Sequence, residues 1–298
     1  MAAYALALTS VAAETENPSR PISFSAEIGV GVEYDSNVGV EEVDLSSNQS
    51  DYALTLDAEL GLKKPLSSTT DLSLSYDFSQ SLYQEFSAVD RQTHILGANL
   101  ETETQSLNTG ITLFYINSRL DSEAFLELYR ISPSISGFLS KKWFARGAYV
   151  YWDKSFENRP GRDASTNTGE ADIYYFRNGL RSYFNLGYRF KDEDADLKVH
   201  DFSSHNLKLR YIHRLVLFSR MTKLELAWRY EDRDYSTVTP GIEEERSDHR
   251  HRWRAEFEVP VLDNGAIQIH TGYSDYDSNL PQADYSQVIT GVRFLHRW

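Results

Sequence analysis

Residues 23 to 34 read Ser-Phe-Ser-Ala-Glu-Ile-Gly-Val-Gly-Val-Glu-Tyr, and every second one is apolar. Phe24, Ala26, Ile28, Val30, Val32 and Tyr34 fall on one side; Ser23, Ser25, Glu27, Gly29, Gly31 and Glu33 fall on the other. A period of two belongs to an extended strand, whose successive side chains point to opposite faces. About ten residues is also the length with which a tilted strand crosses a bilayer.

The pattern recurs along the chain. Tyr52, Leu54, Leu56, Ala58, Leu60 and Leu62 alternate with Thr55, Asp57, Glu59, Gly61 and Lys63; Leu72, Leu74, Tyr76 and Phe78 alternate with Asp71, Ser73, Ser75, Asp77 and Ser79. Further on, Leu224, Leu226, Trp228 and Tyr230 oppose Lys223, Glu225 and Arg229, and Trp253, Ala255, Phe257, Val259 and Val261 oppose Arg252, Arg254, Glu256 and Glu258. Alternation alone fits a soluble sandwich, apolar side inward, as well as its inverse, a barrel with its apolar side in lipid.

Three features favour the barrel. Tyr34, Tyr52, Tyr76, Phe78, Tyr230, Trp253, Tyr273 and Trp298 lie on the apolar face towards strand ends, where an interfacial girdle needs them, although core filling would also use them. Connections alternate in length from Ile22 onward, long at 35–50, 153–168, 191–203 and 231–249, medium at 84–90, 118–123 and 274–284, and short between. External loops and tight periplasmic turns alternate in this way. The last short connection, Leu262-Asp263-Asn264-Gly265, predicts a type I′ turn at Asn-Gly. Finally, Gly291, Phe294, His296 and Trp298 end the chain on an aromatic, in the manner of the signal by which the assembly machinery captures a barrel's last strand.

The fold expected is therefore all-β, a transmembrane antiparallel up-and-down barrel of about 14 strands. An even number leaves both ends on the periplasmic side. Registers at 124–137 and 143–152 are ambiguous, because Pro133 and Gly137 interrupt one and the other is apolar on both faces, so 12 or 16 strands also fit. Lipid offers a free strand edge no partner, so the sheet must close. Residues 1–13, apolar and ending in Val11-Ala12-Ala13, read as a signal peptide; 14–21 read as a periplasmic lead and 22–298 as the barrel.

Composition agrees. Mean hydropathy is −0.49 with no long apolar run, which excludes a bundle of membrane helices but not a barrel. The net charge of −14 argues against nucleic acid. Without cysteine, disulfides and thiolate metal sites are excluded. Segments 35–51, 191–201 and 231–248 carry net charges of −5, −3 and −5, expected as external loops that either stay solvated or bridge lipopolysaccharide phosphates or a basic client.

On the lumen face, Lys208, Arg210, Lys223, Arg229, Arg252, Arg254, Arg293 and Arg297 interleave with Glu225, Glu256 and Glu258. Such a wall is either a set of structural ion pairs or a surface that selects solutes or touches a client. Tyr34-Asp35-Ser36-Asn37-Val38 reappears as Tyr276-Asp277-Ser278-Asn279-Leu280, residues that close Asx or Ser turns. The eight histidines (His94, His200, His205, His213, His249, His251, His270, His296) show no metal spacing, and no serine, histidine and carboxylate share a catalytic spacing. Neither cofactor, metal nor catalysis is expected.

The first repeat, together with Ser278-Asn279-Leu280-Pro281, Asp284-Tyr285 and Gly291-Val292-Arg293-Phe294, resembles the barrel domain of the surface lipoprotein assembly modifier family over about residues 22–298. That resemblance implies a fourteen-stranded barrel that helps deliver secreted proteins across the outer membrane. Family members also carry an N-terminal periplasmic domain of helical repeats, which this sequence does not show, so client capture is expected to come from a separate periplasmic partner. The expected function is a translocation or secretion-linked conduit for an extracellular protein client, in the outer membrane of a Gram-negative cell. The alternatives are a passive or polysaccharide-selective channel and, third, a scaffold barrel of an envelope complex. Expected partners are outer-membrane lipid and lipopolysaccharide, the barrel assembly machinery, the client and the periplasmic partner.

Overall fold

Each alternating segment forms a strand, and the strands pair in sequence order because short connections leave each beside the next. The computed structural model describes residues 21–217 and 219–298. Residues 1–13, expected as a signal peptide, and nearly all of 14–21, expected as a periplasmic lead, lie outside the described residues. The strands are β1 (Ser23–Asp35), β2 (Asp51–Pro65), β3 (Thr70–Tyr83), β4 (Arg91–Glu103), β5 (Asn108–Leu120), β6 (Glu123–Ser140), β7 (Trp143–Phe156), β8 (Ala164–Phe176), β9 (Ser182–Ala195), β10 (Phe202–Leu217), β11 (Arg220–Thr239), β12 (Glu244–Pro260), β13 (Gly265–Ser278) and β14 (Tyr285–Arg297).

Neighbours are antiparallel throughout, and β14 pairs with β1 to make a closed barrel of 14 strands. The closing register runs from Glu27↔Arg297 to Asp35↔Ile289, and the Trp298 N–H donates to the Ala26 carbonyl at 3.0 Å. Closure removes both sheet edges, which hydrocarbon could not satisfy. No helix among the described residues is long and apolar enough to cross a membrane.

The outer face is apolar over the stretch that crosses the membrane. Phe24 is 75% exposed, Val32 60%, Tyr52 61% and Trp253 54%, values expected of side chains whose solvent is lipid. The inner face carries small and acidic residues such as Gly29, Gly31, Asp57, Ser75 and Asp77 on β1 to β3 and is rich in Arg, Lys and Glu on β9 to β12, while β13 presents Gln268 and His270. Pro133 stays inside β6: the ladder to β7 holds Ile131↔Tyr151 and Ser134↔Ala148 on either side of the residue that lacks an N–H, and shifts register again between Phe138 and Ser140.

The structure corrects two readings of the connections. The expected long loops at 153–168, 191–203 and 231–249 shrink to 157–163, 196–201 and 240–243, because β7 to β12 continue beyond the lipid. Above the bilayer the outward side chains are wet (His205, Asp232, His249), so the apolar half of the alternation vanishes while strand pairing persists. The connection at 118–123 likewise contracts to Asp121-Ser122, both with positive φ. Conversely, Asn264 and Gly265 do not adopt the positive φ of a type I′ turn. Gly265 is instead paired with His296 in β13, where a Cβ would meet Phe294 Cζ at 3.0 Å.

Candidate functional site

Register fixes which side chains enter the lumen. On β12 these are Arg246, Asp248, Arg250, Arg252, Arg254, Glu256 and Glu258, descending from the outer mouth towards the periplasm. On β11 they are Tyr235, Arg233, Glu231, Arg229, Ala227, Glu225 and Lys223. Nearly every charge is answered. Arg210 forks onto Glu225 at 2.5 and 2.9 Å, and Lys223 bridges Glu225 at 3.0 Å and Glu256 at 3.3 Å. Arg254 holds Glu256 at 3.0 Å, and Lys208 holds Asp172 at 2.8 Å. Paired like this, the wall is stiff and stays hydrated.

Below the middle of the lumen, Phe144, Tyr174, Phe176 and Tyr183 form an aromatic cluster with ring centroids 5.6 to 6.4 Å apart. Their parity with Asp172 and Arg146 places them on the inner face.

The first connection, 36–50, does not stand out into solvent. It carries two short strands, Gly39–Val40 and Leu45–Ser46, around a single 3-10 turn at Glu41–Val43. Gly39 is required there, since a Cβ would lie 2.4 Å from the Leu45 carbonyl oxygen. Asp44 closes the turn in the left-handed conformation, φ 55°. The hairpin buries Val40 and Val43 against Phe125 of β6 and Phe156 of β7, which anchors it across the barrel mouth.

Its acidic residues meet the arginines of the wall. Asp44 accepts from Arg246 at 2.8 and 3.1 Å and from Arg162 at 2.9 Å. Glu41 pairs with Arg252 and, at 3.4 Å, with Arg250; Glu42 takes Arg91 at 2.7 Å. Burial by itself would raise the pKa of Asp44, but the hydrogen bonds and charge of Arg246, then Arg162, outweigh it and hold the carboxyl far below its usual range. Glu41 is lowered in the same way by Arg252 and Arg250, against burial. Both are therefore anions in the seated hairpin.

The seam between β14 and β1 carries its own clamps. Arg293 reaches Glu33 at 2.9 Å and Asp57 at 3.0 Å; Arg297 pairs with Glu27 and, at 2.6 Å, with Glu258. Glycines let the backbones meet there: a Cβ on Gly31 would lie 2.7 Å from the Val292 oxygen, and one on Gly291 2.8 Å from that of Val32. Beside them Phe294 faces outward, His296 stacks edge-on with Trp298 at 4.3 Å, and Trp298 is 64% exposed.

The repeated motif has two settings. In the first, the Asn37 N–H donates to Asp35 at 2.9 Å, an Asx turn, while Gln287 donates to Asp35 and Asn37 to the Ser286 carbonyl, tying loop to last strand. Ser36 Oγ accepts from the Val288 N–H at 2.8 Å, and Tyr34 packs on Tyr52. In the second, the Leu280 N–H donates to Ser278, whose hydroxyl bonds Asp248; Asn279 caps β12 through Glu244 and Ser247; Tyr276 donates to Glu41; Asp277 faces outward opposite His249.

The sequence alone thus shows the lower wall, but places Glu231, Arg233, Arg246 and Asp248 in an external loop and leaves Arg250 out of the wall. Their strict i, i+2 spacing, continuous with Arg252 and Arg229, was the available signal. It missed the inward fold of 36–50 altogether, since Arg246 and Asp44 are about 200 residues apart in the chain. Among the described residues no cluster of histidine and carboxylate groups is arranged to hold a metal.

Comparison with known proteins agrees with this architecture. The model of a family described as surface lipoprotein assembly modifier matches residues 26–288. No curated protein sequence matches. Among solved structures, an anion-selective porin from Comamonas acidovorans is similar at a TM-score of 0.56 and 8% identity, over 93% of this chain and 99% of that one. CdiB from Acinetobacter baumannii is similar at 0.53 and 10%, over 92% of this chain and 60% of that one. A loop-deleted OmpT, an outer membrane protein of Vibrio cholerae, gives 0.53 and 7%, over 93% and 99%. At such identities the likeness is one of fold. With the family match it places the barrel in the Gram-negative outer membrane.

Proposed function

The chain belongs to the surface lipoprotein assembly modifier family, and from that premise we propose that it is a gated conduit in the export of an extracellular protein client. The observation that carries the reading is the seating of 36–50 in the mouth: an acidic hairpin held by Arg246, Arg250, Arg252 and Arg162 over a polar lumen. A conduit for polypeptide must be closed at rest and must open without unfolding. Ion pairs at a water-lined mouth suit that need, since an arriving polar chain can replace each partner as it leaves. The wall lowers the cost of moving polar chain across hydrocarbon, and no reaction is involved.

Deletion of the gene should abolish surface display of its client while leaving periplasmic levels intact, and the wild-type allele should restore it. Display unchanged by deletion would refute the reading. A second reading, a diffusion channel, is favoured by the many arginines of the wall. It requires the purified barrel with its hairpin seated to conduct steadily in planar bilayers, whereas a gated conduit should be silent there.

A further inference from the structure

Across β10, β11 and β12, the register sets Lys208 opposite Arg229 and Arg229 opposite Arg252 on the lumen face. Like charges directly opposite one another on a sheet are destabilising unless something answers them. Two of the three are answered: Lys208 holds Asp172 at 2.8 Å, and Arg252 holds Glu41 of the hairpin. The Arg229 side chain, between them, has neither a hydrogen bond nor an ion pair among the described residues.

Its surroundings add to the imbalance. Arg229 shares a small cleft with Glu170, Asp172, Arg189, Asn206 and Lys208. Both carboxylates are already engaged, Glu170 by Arg189 at 2.7 Å and Arg146 at 3.4 Å, and Asp172 by Lys208 and, at 3.9 Å, Arg146. Glu231, one step up β11, bonds Arg233 at 3.0 Å. Nε of Arg189 is buried with no hydrogen-bond partner. Gly187, where a Cβ would lie 2.7 Å from Asp172 Oδ1 and 2.8 Å from Lys208 Cε, keeps this corner open enough for the lysine to reach its aspartate. The result is a cation with spare donors, flanked by two more, just beneath the hairpin.

We propose that Arg229, with Lys208, Arg252 and Arg189 around it, is an oxyanion-binding station in the lumen. It takes phosphate or carboxylate, either free in solution or carried on an acidic polymer. The guanidinium offers a planar fork of donors suited to such oxygens, and a resident anion would relieve the repulsion along the row. This station does not depend on what the conduit carries, so it can stand or fall apart from the export reading.

The test is thermal unfolding of the detergent-solubilised full chain at constant ionic strength, with chloride replaced by inorganic phosphate or by a hexaglutamate peptide. Binding to the folded state should raise Tm by a few degrees. The shift should vanish in Arg229→Gln and persist in Lys63→Gln, which removes one cation near the periplasmic rim. In chloride alone Arg229→Gln should melt no lower than wild type, since no bond is lost. A rise with phosphate assigns the station to free anions as well; a rise with the peptide alone assigns it to polymer carboxylates. Absence of any rise, a rise equal in Arg229→Gln, or a lower Tm of that variant in chloride would overturn the proposal.

Discussion

Replacing Asp44 by asparagine keeps the side chain's shape and removes its charge, and the structure gives the size of the effect. Asp44 and Arg246 are both almost fully buried, with side chains 7% and 3% exposed, and the carboxylate accepts three charge-assisted hydrogen bonds. Removing one partner of a buried ion pair costs about 3–5 kcal/mol, because the other charge stays buried without an answer. Arg246 also donates to Asp248 at 2.8 and 2.9 Å, which retains part of its compensation, so the lower end applies. A loss of about 3 kcal/mol shifts the seated-to-released equilibrium of 36–50 by roughly two powers of ten. The barrel wall, with its own ladder, should be untouched. Hydrogen exchange should therefore show the amides of Val38 and Ser47, which bond Gln49 and Val38, exchanging about a hundredfold faster in Asp44→Asn, with β2 and β13 unchanged. Planar bilayers should show the variant opening where wild type is silent. Unchanged exchange at these amides would refute the claim that the carboxylate latches the hairpin.

Other outcomes follow from the same geometry. Because Asp44 is held below its ordinary value of 3.8, its contribution is complete above that value and is lost only as the pH falls through the lower seated pKa. Conductance should therefore stay closed at about pH 4 and appear only in stronger acid; opening near pH 5 would contradict this. Gly31→Val should fail to close the barrel, since its Cβ would lie 2.6 Å from that of Arg293; the check is loss of the fast-migrating band in unheated electrophoresis. Gly39→Val should release the hairpin while leaving barrel Tm within about 1 °C, because the hairpin is no part of the closed ladder. Trp298→Ala should lower the yield in the outer membrane without lowering the stability of what is assembled, as its indole is exposed and its N–H bond to Ala26 is kept.

How much of this could be read from sequence depends on what surrounds each strand. Within the bilayer, one face of every strand meets hydrocarbon, so Leu54, Leu56 and Leu60 alternate with Thr55, Asp57 and Glu59 and the strand declares itself. Beyond it both faces are wet. There Asp232 and Asp234 look outward while Glu231 and Arg233 look in, and composition alone resembles a loop. The lower wall was legible for the same reason that Arg252 and Arg254 flank Trp253. The hairpin was not, since Asp44 finds its arginine through closure of fourteen strands. The Asn-Gly pair misled because Gly265 serves close packing beside Phe294 rather than a left-handed turn. Phe144, Tyr174 and Phe176 were hidden differently: their strands are aromatic on both faces near the periplasmic rim, as Trp143 and Tyr175 show, so no period marks the side that turns inward.

The central claim is that oily side chains meet lipid and wet ones meet a closed lumen. The chain has no cysteine, so single cysteines at positions 54 to 59 of β2 can each carry a spin label in reconstituted bilayers. Labels at Leu54, Leu56 and Ala58 should collide with dissolved oxygen, and labels at Thr55, Asp57 and Glu59 with a water-soluble nickel complex. Equal accessibility at all six positions, or oxygen collisions favouring the acidic set, would contradict the account.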